Sequence, residues 1–211
     1  MNIIVTSVLH PCPMSLSYSK TRNPFSQAER FKQTIDALKT LDKNLWQNII
    51  VAEGSSINKH EKDEMLKYCD KVLELRDVMN IRRFIDSPYK GVGEAALLQQ
   101  AINDLRLDET FFKLSARYSL TNKFDVNKFI NVDNCFRKFG DTFCTIFYKI
   151  TQNSVPDFVR ALKYYEQDCN MKDPMGIEYE LCKRFIYNIR EIDVLGVSGI
   201  QSCDNANYIE V

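Results

Sequence analysis

Near its middle the chain carries the sequence Phe111-Phe112-Lys113-Leu114-Ser115-Ala116-Arg117-Tyr118-Ser119-Leu120. The first half of this segment is short, apolar and aromatic, which is typical of a buried strand. Because alternate side chains of a strand lie on opposite faces, Lys113, Ser115 and Arg117 are predicted to share one side. Two cations and a hydroxyl on one side of a strand end suit a phosphate or a carboxylate. The alternative interpretation is an edge strand whose two charges are solvated.

The segments before residue 111 alternate between strand and helix patterns. β-Branched apolar runs predict buried strands, and apolar residues along one face predict helices, one of which starts at a capping box of Ser26 and Glu29. The predicted strands are 2–8, 48–53 and 71–75, and the predicted helices are 26–41, 58–68 and one that begins at Gly93. The order β-α-β-α-β-α-β indicates an α/β fold, a three-layer α/β/α domain around a mostly parallel sheet.

The pattern changes beyond residue 120. Residues 141–151 alternate and predict one long strand, for which an antiparallel orientation fits. Helices are predicted after Ser154 and over 177–189, and a last strand over 193–200. The sequence contains no internal repeat and no linker, so residues 1–211 are predicted to form a single domain.

Composition narrows the class of protein. The 211 residues are 45% hydrophobic and 27% charged, as in a soluble globular protein. The formal net charge of zero argues against nucleic acid as a partner, and no apolar run is long enough to span a bilayer. The seven cysteines include no Cys-x-x-Cys pair, and the chain begins without a basic, signal-like segment. We therefore expect reduced thiols and a cytoplasmic location.

In sheets of this kind, ligands bind beyond the carboxyl ends of the strands. An acidic residue such as Glu53 at a strand end can accept hydrogen bonds from a base or a ribose, although it can equally cap the next helix. The polar residues predicted at these strand ends are Thr6, Ser7, Glu53, Gly54, Ser55, Asp77, Ser115, Arg117 and Tyr118.

Three further features are candidate functional groups. Arg22 precedes the capped helix, and capping does not explain it. The sequence Lys90-Gly91-Val92-Gly93 precedes a helix whose first N–H groups can hold an anion, although it is neither a Walker loop nor a dinucleotide fingerprint. Glu178 and Glu180 lie in a late helix, where one can act as a general base or both can simply be solvated.

The order and spacing of several of these segments resemble small GT-A-type glycosyltransferase domains of bacteria and large viruses. The resemblance covers about the first 130 residues, and it implies a nucleotide-sugar-binding half at 1–130 and an acceptor-side half at 131–211. The segments that carry it are Ile3–Ser7, Arg22, Glu29–Thr34, Ile50–Ser55 and Lys113–Tyr118.

The resemblance implies transfer of a sugar from a nucleotide donor, of the UDP type, to a glycan or other hydroxyl acceptor. Thr6, Ser7 and Glu53 would then surround the nucleoside. The diphosphate would contact Arg117, Lys113 and Arg22, with Gly54, Ser55, Lys90, Ser115 and Tyr118 as further donor contacts. Glu178 would be the base of an inverting reaction. The alternative is a non-catalytic nucleotide- or glycan-binding module of the same fold.

One departure from the family concerns the metal ion. GT-A enzymes usually carry Asp-x-Asp after the fourth strand, where two carboxylates hold Mn²⁺ or Mg²⁺ against the donor diphosphate. Here that place is taken by Ser115-Ala116-Arg117-Tyr118, which contains no carboxylate. Either a cation such as Arg117 or Lys113 neutralises the diphosphate directly, or Asp77 or Asp125 supplies a metal ligand.

Overall fold

The protein is built around a seven-stranded sheet. Its structure, a computed structural model, describes residues 1–17, 19–20, 22–78, 81–169, 175–185, 189–200 and 208–211, with Tyr208 described by its backbone alone. The strands are β1 Asn2–Ser7, β2 Asn48–Glu53, β3 Lys71–Glu74, β4 Phe111–Ser115, β5 Tyr118–Leu120, β6 Asn134–Phe136, β7 Lys138–Phe139, β8 Thr142–Phe143, β9 Phe147–Ile150, β10 Ile189–Glu191, β11 Val197–Ile200 and β12 Tyr208–Glu210. The helices are α1 Gln27–Lys39, α2 Lys59–Leu66, α3 Ile81–Ile85, α4 Lys90–Leu105, α5 Asn127–Ile130, α6 Val155–Asp168 and α7 Ile177–Arg184.

The main sheet has the strand order β10-β6-β9-β4-β1-β2-β3. Four of its six neighbouring pairs are parallel, and β9 is antiparallel to both β4 and β6. A second, antiparallel sheet has the order β12-β11-β5, and β7 and β8 form a hairpin. The predicted mostly parallel sheet and three-layer α/β/α architecture are therefore confirmed.

Alternation along the central strands divides the core into two layers. On β1, Ile4 faces the layer that contains α4 and α6, whereas Ile3 and Val5 face the layer that contains α1. Phe111 and Phe112 of β4 divide in the same way. Because both faces of the sheet are covered by helices, these strands read as continuous apolar runs in the sequence.

Several predicted helices and strands agree with those of the structure. Ser26 caps α1 in a capping box with Glu29, and Asn58 caps α2 in another with Glu61. The predicted strand 48–53 coincides with β2. Residues 77–84, whose sequence fits either a loop or a short helix, contain the start of α3, while residues 79–80 lie outside the part of the chain that the structure describes.

The start of α4 was predicted three residues too late. Lys90-Gly91-Val92-Gly93 forms the first turn of the helix and is not a loop before it. Gly91 serves close packing, because a Cβ there would lie 2.7 Å from the Tyr165 hydroxyl and 2.9 Å from Cβ of Ile177. Two glycines usually signal a turn, and here tertiary contacts override that preference.

Residues 111–120 do not form one strand. β4 ends at Ser115, Ala116 and Arg117 form a turn, and β5 joins the second sheet. The predicted strand 141–151 likewise divides into β8 and β9, of which β9 is antiparallel as expected. The predicted helix 177–189 ends at Arg184; residues 186–188 are outside the described parts, and Ile189 begins β10.

Two glycines with positive φ provide a matched test of the packing between the segment that follows β5 and the residue that precedes β11. Gly196 has φ of +69° and a Cβ there would lie 2.3 Å from the Phe124 nitrogen, whereas Gly140 has φ of +58° and open space around it. We expect Gly140→Ala to cost about 1 kcal/mol, the usual cost of left-handed backbone. Gly196→Ala should cost a further ~1–3 kcal/mol for overpacking. Thermal unfolding of both variants measures the difference, and equal shifts in Tm would contradict it.

Candidate functional site

Two adjacent cavities open at the carboxyl ends of β1 and β4. We call the smaller one, of about 100 Å³, the cationic cavity and the larger one, of about 600 Å³, the wide cavity. The residues that line both are Lys90, Glu94, Ser115 and Arg117. The ends of these two strands and the first turn of α4 therefore form the border between the cavities.

Among the described residues that line the cationic cavity, several are cations and one is a carboxylate. Arg22, Arg30, Lys90 and Arg117 line it, together with Glu94. Burial, and secondarily the charge of Arg117, lowers the pKa of Arg30 to about 9. Since a guanidinium still remains protonated at neutral pH, the cavity holds cations that repel one another. An anion bound among them would relieve this repulsion.

Arg117 is placed by the turn between the two sheets. The Ala116 N–H donates to the Thr6 carbonyl over 3.0 Å, which fixes the turn against the end of β1. The Arg117 guanidinium lies 5.5 Å from the centre of the Tyr118 ring and 3.5 Å from the Ile200 carbonyl oxygen. Arg117 lines both cavities.

Lys113 occupies a different place from the one predicted. Its side chain is fully buried and lines neither cavity, and its Nζ donates to Glu94, to Ser115 Oγ over 2.7 Å and to the Thr145 carbonyl. The three ammonium protons are thus fully used. Lys113 and Ser115 share one side of β4 as expected, whereas Arg117 lies beyond the end of the strand.

Glu53, Gly54 and Ser55 lie inside the protein and not on the cavity walls. The Glu53 carboxylate is fully buried and accepts hydrogen bonds from the N–H groups of Leu9 at 3.0 Å and Ser55 at 2.8 Å. Gly54 packs beneath Ile85 and Leu97. This triplet therefore fixes the loop after β1, where Val8 and Pro11 line the cationic cavity.

The other predicted donor contacts lie at the cavities. Thr6 and Ser7 line the cationic cavity, and Ser7 Oγ lies 3.5 Å from Thr34 Oγ1. Tyr118 lines the wide cavity. Arg22 also lines the cationic cavity, but its guanidinium already donates to the carbonyl oxygens of Ile85, Asp86 and Ser87, at the end of α3.

Glu178 lies in the wall of the wide cavity, in the first turn of α7. The Thr145 hydroxyl donates to its carboxylate over 3.4 Å. Although the residue is exposed towards the cavity, the surrounding protein desolvates its carboxyl and raises the pKa, and the charge of Glu94 adds to this effect. Glu180 instead packs inside and pairs with Arg184 at 2.8 Å.

The carboxylates considered as metal ligands lie elsewhere. Asp77 is exposed in the turn after β3, and Asp125 is exposed and accepts a hydrogen bond from the Asn127 N–H over 3.0 Å; neither lines the two cavities. No group of three or more potential metal ligands occurs among the described residues. A donor set of one carboxylate, Glu94, among four cations does not fit a divalent metal ion, whereas it fits an anion.

Arg30 and Glu94 are site residues that sequence reasoning missed. Arg30 and Thr34 are four residues apart on α1, so they share the helix face that lies over the end of β1. Glu94 is flanked on α4 by buried apolar residues, including Val92 and Ala95. Each is a polar side chain on a helix face that otherwise packs against the protein interior. This pattern was the sequence signal that could have identified both residues as site residues.

Comparisons with known proteins identify the fold. No protein-family model matches the sequence, and no curated protein is significantly similar to it. The solved galactosyltransferase LgtC, in complex with donor and acceptor sugar analogs, aligns with a TM-score of 0.52 and 10% identity over 90% of this chain and 73% of LgtC. The bifunctional glycosyltransferase WbbM aligns with a TM-score of 0.51 and 10% identity over 91% of this chain and 38% of WbbM. The chain therefore has the GT-A fold of these glycosyltransferases, as the resemblance implied.

The sequence also led to predictions about membrane-spanning segments and about the cysteines. Among the helices of the described ranges, none combines the length and the apolar character needed to cross a bilayer. Six of the seven cysteines are described and are free thiols, whereas Cys203 lies outside the described ranges.

The cationic cavity predicts stabilisation by a small polyanion. Inorganic pyrophosphate at about 100 times its Kd should add roughly 2.7 kcal/mol to the free energy of unfolding and raise Tm by several degrees. Arg30→Met should abolish most of this rise, because it removes one of the cations that hold the anion. Arg160→Gln is the matched control, since Arg160 is exposed and pairs with Asp157 at 3.0 Å. An equal rise in both variants would argue against the cavity as the anion site.

Proposed function

We propose that the chain transfers a sugar, a hexose or a pentose, from a UDP-type donor to a hydroxyl of a glycan or other acceptor. The observation that carries this proposal is the shared border of the two cavities. The cationic cavity suits a diphosphate, and the wide cavity contains the Glu178 carboxyl and has room for an acceptor. Arg117 and Glu94 line the border of the two cavities, and the transferred sugar would lie at this border.

In this proposal the diphosphate of the donor occupies the cationic cavity, and the nucleoside lies at the edge of this cavity. Arg117 and Arg30 neutralise the diphosphate, with Lys90 at its border, in place of the metal ion that Asp-x-Asp would hold. The hydroxyls of Thr6, Ser7 and Thr34 are hydrogen-bond partners for the nucleoside. Glu53 acts on the nucleoside through the loop after β1, because its carboxylate is already used inside the protein.

The transfer step follows from these positions. The acceptor oxygen forms a bond to the anomeric carbon while the bond from that carbon to the diphosphate breaks, and the diphosphate leaves with the electron pair. Glu178 takes the proton of the acceptor hydroxyl. Arg117 stabilises the negative charge that develops on the leaving oxygen. Attack from the face opposite the leaving group inverts the anomeric centre.

Nucleotide binding without a metal ion is the first test. Calorimetry should show that UDP binds in EDTA and that manganese does not tighten the complex. Arg117→Gln should weaken binding roughly 10- to 100-fold, as expected for loss of a hydrogen bond between charged groups. Arg160→Gln, a distant arginine, should leave Kd unchanged. If no nucleotide or nucleotide-sugar binds, with or without manganese, the proposed function is wrong.

The raised pKa of Glu178 predicts the pH dependence of transfer. A base works only when deprotonated, so activity should rise with pH through the pKa of Glu178, at a pH above the ordinary glutamate range. Glu178→Gln should lower kcat by roughly 10²- to 10⁴-fold and remove this acid limb, with little change in UDP affinity. Glu180→Gln is the neighbouring control and should keep the limb. An unchanged pH profile in Glu178→Gln would exclude Glu178 as the base.

An assay of donor hydrolysis distinguishes the proposed enzyme from the alternative, a non-catalytic binding module. Slow release of free sugar from a UDP-sugar without any acceptor indicates an enzyme. Binding of UDP-sugar with no hydrolysis, and no transfer to any of a panel of hydroxyl acceptors, indicates the module.

A further inference from the structure

The carboxylate of Glu94 is held at the border of the two cavities by a buried cation. Its Oε1 accepts a hydrogen bond from Lys113, whose side chain is fully buried, whereas the Glu94 side chain is 21% exposed. Its other oxygen, Oε2, makes no hydrogen bond to the residues that the structure describes. Lys113 thus orients the Glu94 carboxylate and leaves its second oxygen with free acceptor capacity.

The Glu94 carboxylate lies where the two cavities meet. Glu94 lines the cationic cavity together with Arg30 and Arg117, and it lines the wide cavity together with Glu178. A nucleotide-sugar whose diphosphate contacts the arginines, and whose anomeric carbon faces an acceptor near Glu178, must place its sugar ring at this border. Carboxylate oxygens are strong acceptors for hydroxyl donors, and such bonds are about twice as strong as neutral ones.

We propose that Glu94 recognises the transferred sugar by accepting hydrogen bonds from its hydroxyls, and that it restricts the donor to neutral sugars. This inference rests on the proposed function. A uronic acid would bring a second carboxylate against Glu94, and the neighbouring cations are then already engaged by the diphosphate. The border would therefore repel an acidic sugar and favour one with free hydroxyls.

The experiment compares donors and their analogues by competition against UDP. UDP-glucose, UDP-galactose, UDP-xylose and UDP-glucuronic acid are ranked first on the unaltered protein. The preferred UDP-sugar is then compared with its series of deoxy analogues, each of which lacks one hydroxyl. We expect UDP-glucuronic acid to bind worst, and at least one deoxy analogue to bind roughly 10- to 100-fold more weakly than its parent, as for a lost bond to a charged acceptor.

Variants test whether Glu94 causes the weaker binding of the deoxy analogue. In Glu94→Gln the penalty for the missing hydroxyl should fall below about threefold, and UDP-glucuronic acid should no longer be disfavoured. UDP itself should bind at least as tightly as it binds the unaltered protein, because the lost carboxylate no longer repels the diphosphate in the cationic cavity. Glu210→Gln is the matched control, because Glu210 also lines the wide cavity but pairs with Lys123 at 3.0 Å. It should keep the full penalty.

The outcomes distinguish this inference from the proposed function. If the unaltered protein does not bind UDP, the proposed function fails. If UDP binds but every deoxy analogue equals its parent, or if Glu94→Gln keeps the full penalty, the role of Glu94 is refuted. Should Glu94→Gln fail to fold because Lys113 loses its partner, the deoxy series and the UDP-glucuronic acid comparison on the unaltered protein decide between these results.

Discussion

The buried ammonium of Lys113 joins the parts of the protein that form the candidate site. It is held by Glu94 of α4, by Ser115 at the end of β4 and by the Thr145 carbonyl before β9. An unpaired cation in a protein interior costs several kcal/mol, so its three partners cannot move apart independently. Thr145 in turn donates to Glu178, which extends this network from the cationic cavity to the wall of the wide cavity.

This arrangement explains why positive charge on β4 serves two purposes. Lys113 lies within the strand, where both faces of the sheet are covered, and it therefore needs acceptors from the protein itself. Arg117 lies two residues beyond the strand end, where the turn to β5 leaves its guanidinium at the cavity walls. The strand thus supplies the internal cation that orients a carboxylate, and the turn after the strand supplies the cavity-lining cation that suits an anionic ligand.

The sequence was sufficient for the elements whose signals are local. Continuous β-branched apolar runs predicted β1 and β2, and the capping box at Ser26 predicted the start of α1. It was insufficient where distant residues decide. Gly91 belongs to a helix because Tyr165 and Ile177 pack against it, and the end of β4 is set by the switch to a second sheet. Neither effect can be predicted from the ten residues around the position concerned.

The same distinction applies to the site. The element order alone predicted that Thr6, Ser7, Ser115 and Arg117 follow strands at the carboxyl edge of the sheet, and in the structure these residues line the cationic cavity. It could not show that Glu53 and Lys113 turn inward, because a strand residue next to the edge can face either the ligand or the core. Glu53 holds the loop after β1, and Lys113 holds Glu94. In both cases a buried charge fixes the geometry of a neighbouring polar group, so the residues at the cavity walls depend on charges that the cavity does not expose.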